Sequence, residues 1–230
     1  MTRPRTGSRD GPVLEGSPEQ GDDDEAPARF PRRQVATVAA LIGIHLAIVL
    51  WIEAGSVWGL IEWGALRKGS TLLQPWRLVT SLVLHSDVAH VLWNGLSMAV
   101  FAVPLMTWVG FRRTAVVYLA AGLGGAIASV SLADYGTFIL GSSGAVSGLF
   151  GAWVVLALDR ARESDLPGRA RIRTAGVALL VLPSLINPTT ADGQPISVSS
   201  HLAGAATGMV VGVLLSRGWL RGESPPDSRH

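Results

Sequence analysis

The residues best placed to do chemistry are a serine and a histidine that lie on two separate apolar segments. Ser143 begins one segment within Gly-Ser-Ser-Gly, and His201 begins another. A serine hydroxyl is a nucleophile when a histidine within hydrogen-bonding distance accepts its proton. His90 and Asn94 are four residues apart, so they share a helical face and offer hydrogen-bond donors to an oxyanion. These residue types predict acyl transfer with Ser143 as the nucleophile and His201 as the general base.

The segments that carry these residues have the length and composition of membrane spans. The chain has 230 residues, 48% hydrophobic and only 16% charged, with a mean hydropathy of +0.37. A helix of about 20 apolar residues spans a bilayer, which permits no irregular backbone facing lipid. We therefore predict an all-α, polytopic membrane protein whose six helices form one bundle. The predicted spans are 35–53, 88–108, 114–133, 142–158, 173–187 and 200–216.

The positions of arginine predict how these spans are oriented. With six spans, the arginines before the first span and after the second, fourth and sixth spans lie on one side. Basic residues are enriched in cytoplasmic connections, so we predict a plasma-membrane protein with cytoplasmic N- and C-termini. The net charge of +2 comes mostly from these arginines and indicates topology in the lipid bilayer, not nucleic-acid binding.

Composition also predicts the domain boundaries. Residues 1–33 are rich in proline, glycine and acids and form a disordered cytoplasmic tail, 34–217 form the membrane domain, and 218–230 form a second polar tail. The long first outer loop, 54–87, contains three tryptophans, so we expect an interfacial structure there. The absence of cysteine excludes disulfides and thiolate nucleophiles.

Three polar residues are predicted to lie at one depth in the membrane. Measured along their helices from the cytoplasmic arginines, Asn94, Ser143 and His201 all lie roughly 24–27 Å above the inner surface, at about 1.5 Å per residue. Polar groups are costly within a membrane and usually functional. Their common depth, slightly below the outer surface, predicts a site.

Small residues predict close contact between the fourth and sixth spans. The expected stripes are Ser143, Ser147 and Gly151 on one helix and Gly204, Gly208 and Gly212 on the other. Such stripes let two backbones approach closely. The imidazole of His201 would then reach the hydroxyl of Ser143.

Two other interpretations of the polar residues are weaker. His85, His90 and His201 would form a metal site if they converged, but the first two are five residues apart and no acid within the spans supports them. We therefore predict neither a metal nor a cofactor. A transporter would carry polar residues along the whole depth of the membrane, whereas here they cluster at one level. His45, midway along the first span, has no evident partner and is expected to be packed and hydrogen-bonded.

Four motifs occur in order along the chain. They are Trp76-Arg77, His85-x4-His90-x3-Asn94, Gly141-x-Ser143-Gly144 and His201-x2-Gly204-x3-Gly208. Together, over residues 35–216, they resemble the rhomboid family of intramembrane serine proteases. The resemblance implies a serine endopeptidase, a hydrolase that cleaves membrane proteins with one or more spans near the outer membrane face.

The resemblance also implies a role for each matching residue. Ser143 and His201 would form a catalytic dyad without an acid, in a water-accessible cavity. His90, Asn94 and the backbone N–H of Ser143 would form the oxyanion hole. Arg77 would hold the first outer loop together. Loop 188–199 and the fifth span would form a mobile cap and a lateral gate.

Two further features bear on this interpretation. His85 is expected to order the junction between the first outer loop and the second span by hydrogen bonding. Many family members carry an aromatic residue where this chain has Ser147, so the sequence leaves open how His201 is held. The main alternative is a non-catalytic relative that binds membrane clients. Such relatives usually lose the serine or the histidine, and this chain keeps both.

Overall fold

A computed structural model gives the architecture and describes residues 31–53, 58–69, 73–164, 166–186 and 197–218. Helices predominate in this part of the chain. The elements are α1 Arg32–Trp51, α2 Trp58–Gly64, β1 Leu66–Arg67, α3 Arg77–Thr80, α4 Val88–Val109, α5 Phe111–Leu132, β2 Phe138–Ile139, α6 Ser143–Glu163, α7 Pro167–Ile186 and α8 Val198–Ser216. The two predicted tails and loop 188–199 lie largely outside the described residues.

Five of the described helices are long and apolar enough to cross a membrane. They are α1, α4, α5, α6 and α8. Each coincides with a predicted span, because a hydrophobic run of bilayer length is a local property of the sequence. The prediction of a helical, polytopic membrane protein is therefore confirmed.

The predicted fifth span is a helix, but it differs from the other five. Helix α7 begins at Pro167, ahead of the predicted start at 173. Its first turns carry Arg169, Arg171 and Arg173, and it is not among the helices that meet the length and composition of a span. The count of six spans therefore depends on α7 and stays a prediction.

Within the described residues, a short β ladder departs from the predicted all-α fold. Strands β1 and β2 pair antiparallel, with Leu66 opposite Ile139 and Arg67 opposite Phe138. Extended loop backbone outside helices still requires hydrogen-bond partners, and these two segments supply them to each other. The Arg67 guanidinium also lies 4.7 Å from the centroid of the Phe138 ring. The ladder joins the first loop to the segment that leads into α6.

The main apolar core lies between α1, α4, α5, α6 and α8. Phe101 packs on Phe150 and Trp153, with ring centroids 5.4 and 5.7 Å apart. Other buried members are Val38, Met98, Leu105, Val109, Val117, Leu149, Leu156 and Leu215. This core extends toward the α4–α5 turn and leaves the starts of α4, α6 and α8 to polar side chains.

Helices α6 and α8 are in backbone contact through glycines. A Cβ atom on Gly208 would overlap the carbonyl of Gly148, and one on Gly204 would overlap the carbonyl of Gly144. The predicted α8 stripe therefore faces α6. On α6, Gly151 of the predicted stripe does lie against the backbone of Ala205, but the closest contacts are made by Gly144 and Gly148, which the prediction left out. The reason is steric, because an approach this close leaves no room for a Cβ atom.

Candidate active site

The sequence Gly-Ser-Ser-Gly shapes the start of α6. Gly141 has a φ of +116°, a left-handed conformation that residues with a Cβ atom rarely adopt. Its N–H donates to the carbonyl of Ser81, 2.9 Å away, and a Cβ atom here would lie 3.0 Å from the His90 ring. The chain then enters α6, with Ser142 as N-cap and Ser143 as the first helical residue. The glycine thus lets this turn lie directly against α4.

The contact between α6 and α8 brings the starts of both helices to one level. A Cβ atom on Gly144 would lie 2.6 Å from the hydroxyl oxygen of Ser200. Ser143 immediately precedes Gly144, and His201 immediately follows Ser200. The two predicted dyad residues therefore lie at the same end of one helix pair. His201 is only 5% exposed, whereas Ser143 is partly exposed.

Ser147, which lies one turn beyond Ser143, is bonded within its own helix. It is buried, and its hydroxyl donates to the carbonyl of Ser143 over 2.8 Å. A hydroxyl has one proton to donate, so the Ser147 proton is already used at this carbonyl. Ser147 therefore does not replace an aromatic ring as a support that donates to His201.

The start of α4 places His90 and Asn94 beside this turn. Asp87 caps the helix by accepting a 2.7 Å hydrogen bond from the N–H of His90. Partial burial raises the pKa of Asp87, but hydrogen bonds from Ser86 and the His90 backbone outweigh it, so the pKa lies below its usual value. The His90 Nδ1 is 3.2 Å from the Ser86 hydroxyl oxygen. Asp87 thus binds the backbone of His90, and Ser86 binds its ring.

Asn94 contributes a buried hydrogen-bond donor that the described residues do not use. The side chain is 8% exposed, and its Nδ2 has no hydrogen-bond partner in the described part of the chain. A buried polar group without a partner is costly, and a catalytic role is one of the reasons for which it is retained. An amide N–H₂ in this state is suited to bind a developing oxyanion.

His85, which lies three residues before α4, forms hydrogen bonds to Ser142 at the start of α6. Its Nε2 accepts from the backbone N–H of Ser142 over 3.4 Å and lies 3.2 Å from the Ser142 hydroxyl oxygen. Because an amide can only donate, Nε2 is unprotonated and the hydroxyl donates to it as well. Burial, followed by repulsion from His90 and His45, lowers the pKa of His85 to about 3. His85 is therefore neutral at physiological pH.

These elements are arranged on a chain with clear relatives. Residues 72–218, more than half of the sequence, match the family model described as the Rhomboid domain. The chain belongs to the rhomboid family. The resemblance recognised from the four motifs is therefore confirmed.

Individual rhomboid relatives are similar over part of their length. YdcA, a rhomboid-family protein of Bacillus subtilis strain 168, is 31% identical over 141 residues, which cover 60% of this chain and 66% of YdcA. Rhomboid-related protein 2 of Mus musculus is 30% identical over 145 residues, 60% of this chain and 47% of the relative. Rhomboid protease GluP of Bacillus subtilis is 33% identical over 125 residues, 54% of this chain and 23% of GluP. The similarity thus covers less than two thirds of each relative.

In this rhomboid, a buried arginine links the helices of the first loop. Arg77 is 6% exposed and donates to the side chain of Gln74 and to the backbone carbonyls of Glu62 and Ala65. These bonds join α3 to the end of α2. Trp76 immediately precedes α3 as its N-cap and is 40% exposed.

The sequence did not predict that Ser142 and His45 belong to the site. It gave Ser142 no role beyond its place in the Gly-Ser-Ser-Gly turn, and it gave His45 no evident partner. The structure places the His45 ring 5.1 Å from the His85 ring. The signal for His45 in the sequence was a polar residue within an apolar span. The sequence could not show its partner, because His85 lies in a loop 40 residues away. Among the described residues, no three His, Asp or Glu side chains are grouped as metal ligands.

Proposed function

We propose that this chain is an intramembrane serine endopeptidase that cleaves membrane proteins near the outer membrane face. The observation that supports this most strongly is the backbone contact between α6 and α8, which puts Gly144 against Ser200 and Gly204. Ser143 and His201 are next to these residues. The unused buried donor of Asn94 and membership of the rhomboid family support the same activity.

Each proposed residue has a distinct role in the reaction. The Ser143 oxygen attacks a peptide carbonyl while His201 accepts its proton, and the new oxyanion receives hydrogen bonds from Asn94, His90 and the Ser143 amide. The C–N bond then breaks as His201 donates the proton to the leaving amine. Water, deprotonated by His201, releases the acyl group and restores Ser143.

Ser142 and His85 are also a serine and a histidine, and their Oγ and Nε2 atoms are 3.2 Å apart. Both residues are fully buried, with exposures of 0%. A nucleophile must reach the substrate carbonyl, and Ser143 is the partly exposed serine of the two. We therefore assign nucleophilic attack to Ser143 and a supporting role to Ser142.

We further infer that α7 completes a bundle of six spans. The starts of α6 and α8 lie at one level, so the chain must return across the bundle between the end of α6 and the start of α8. Helix α7 has 20 residues, which extend about 30 Å at 1.5 Å per residue. Its arginines lie at the end that follows Arg160 and Arg162, which favours a cytoplasmic position for that end and for both termini.

A cleavage assay tests the proposed enzyme. Wild-type protein in liposomes should cut a single-span substrate whose helix is weakened near the outer face. A fluorophosphonate should label the wild-type enzyme at its nucleophilic serine. Ser143→Ala and His201→Ala should lose cleavage because nucleophile and base act as a unit. Ser142→Ala is the matched control and should keep cleavage above background.

The assay also separates the alternatives. Equal cleavage by wild type and Ser143→Ala would exclude this enzyme. Substrate binding without cleavage by the wild type would instead support a non-catalytic protein that binds membrane clients. Loss of labelling in Ser142→Ala, with full labelling in Ser143→Ala, would transfer the nucleophile to Ser142.

A further inference from the structure

Helix α1 directs one polar side chain into the protein. Its buried residues within the described range are Val38, His45 and Val49, and most of its other side chains are partly or fully exposed. An imidazole that faces inward from an apolar span is costly unless its contacts serve a purpose. The contacts of His45 therefore require an explanation.

His45 is the first of three imidazoles in a row that ends at the proposed oxyanion hole. The His45 and His85 rings are 5.1 Å apart with planes inclined at 44°, and the His85 and His90 rings are 4.9 Å apart in an edge-to-face arrangement. His85 in turn bonds both the amide and the hydroxyl of Ser142. The row thus connects α1 to the residue directly before Ser143.

Both neighbours of His85 in this row pack on its ring. His90 is held by Ser86 and lies against Gly141, so it limits the motion of His85 where the two rings meet. His45 limits it at a second contact. Without the His45 ring, the space beside His85 would allow that ring to tilt. A tilt would move the Ser142 amide and with it the start of α6.

We propose that His45 is a positioning residue that fixes His85, and through it the Ser142–Ser143 turn, for oxyanion stabilisation. The expected effect of His45 on catalysis rests on the proposed protease function, whereas its contact with His85 does not. The packing of α1 on α4 has a separate support, because Ile42 lies against Gly95. Loss of the His45 ring is therefore expected to disturb the site more than the fold.

Enzyme kinetics on the full chain test this role. A displacement of about 1 Å at a catalytic centre costs up to about 10²-fold in rate, so we expect His45→Ala to lower kcat about tenfold with little change in KM. His45→Leu also lacks the ring but fills more of its space, so it should show the same loss of kcat if the alanine variant folds poorly. His45→Phe restores a planar ring and should recover most of the wild-type kcat. Val49→Ala, on the same buried face one turn away, is the matched control and should keep the wild-type kcat.

A spectroscopic measurement separates this inference from the proposed function. In ¹⁵N-histidine-labelled Ser143→Ala protein, the His85 ring resonances should shift with His45→Leu and stay unchanged with Val49→Ala. Unshifted His85 resonances, or a kcat for His45→Ala equal to that of Val49→Ala, would overturn the positioning role. Cleavage by Ser143→Ala at the wild-type rate would instead overturn the proposed role of Ser143 as the nucleophile, while the His85 resonances would still report on the His45 contact.

Discussion

Individual polar residues in this protein are buried in two different states. His85 uses its Nε2 twice, on the amide and the hydroxyl of Ser142. Asn94 keeps an amide nitrogen without a partner among the described residues. The Nδ1 of His85 has no partner among the described residues either, so only the Nε2 side of this ring is satisfied. A satisfied buried atom rigidifies its surroundings, whereas an unsatisfied donor is available to a ligand. The Nε2 bonds of His85 therefore suit a support, and the Asn94 amide suits a group that contacts the substrate.

Asn94→Ala tests the second state. Removal of one oxyanion donor should lower kcat by roughly 10²–10³-fold while KM changes little, because the hydrogen bond forms mainly in the transition state. Leu96→Ala, at an exposed position of the same helix, is the control and should behave as the wild type. Wild-type kinetics in Asn94→Ala would remove this residue from the site.

The burial of His85 predicts how stability depends on pH. In the unfolded chain His85 binds a proton near its ordinary pKa of 6.5, but in the folded protein only near 3. The unfolded state therefore binds more protons between these values. The contribution of neutral His85 is complete above pH 6.5 and is lost as the pH falls toward 3, by up to about 1.4 kcal/mol per pH unit.

Unfolding measured across this pH range checks the effect. His85→Gln cannot titrate, so its unfolding free energy should fall less steeply with acid than that of the wild type. His45, His90 and Asp87 remain in both proteins, so the difference in slope belongs to His85. Parallel curves for the two proteins would contradict the buried, neutral state of His85.

At the scale of elements, the pair α6 and α8 determines the site. Contact through glycine backbones positions two helices more rigidly than contact through long side chains, because no rotamer can adjust the separation. The starts of the two helices are thereby held together. The β1–β2 ladder and the Arg77 bonds connect the first loop to the same region.

Gly208→Leu should separate these two helices. A leucine side chain would have to occupy the position of the Gly148 carbonyl, and such overpacking costs about 1–3 kcal/mol or more. We expect loss of cleavage and a lower Tm. Ala206→Leu, at an exposed position of α8, is the matched control and should retain both. Full activity in Gly208→Leu would disprove the close contact.

At the scale of the whole molecule, orientation can be mapped because the chain has no natural cysteine. Single cysteines at Asp134, Gly168 and Arg217 should react with an impermeant maleimide according to their side. With six spans, Asp134→Cys reacts in intact cells, and Gly168→Cys and Arg217→Cys react only after permeabilisation. Reaction of Arg217→Cys in intact cells would show that α7 does not cross the membrane.

Much of this protein could be predicted without coordinates. The apolar runs located α1, α4, α5, α6 and α8, and four motifs identified the family. Hydropathy and motif spacing are local properties, so they are visible in one dimension. Helix α7 was predicted less well than these five helices. The arginines in its first turns lower its hydropathy, so its start was placed too late and its membrane crossing is not evident from composition.

Only the tertiary structure decided which residues meet. The sequence predicted Gly151 as part of the surface that faces α8, but it missed Gly144 and Gly148, because the crossing of two helices and not their repeat selects the closest contacts. It also left His45 without a partner and did not single out Ser142, both of which contact His85. The sequence alone determined five apolar helices of membrane-spanning length and the reactive residue types. Packing of distant segments decided how those residues are supported, since such contacts depend on the paths of separate helices through space.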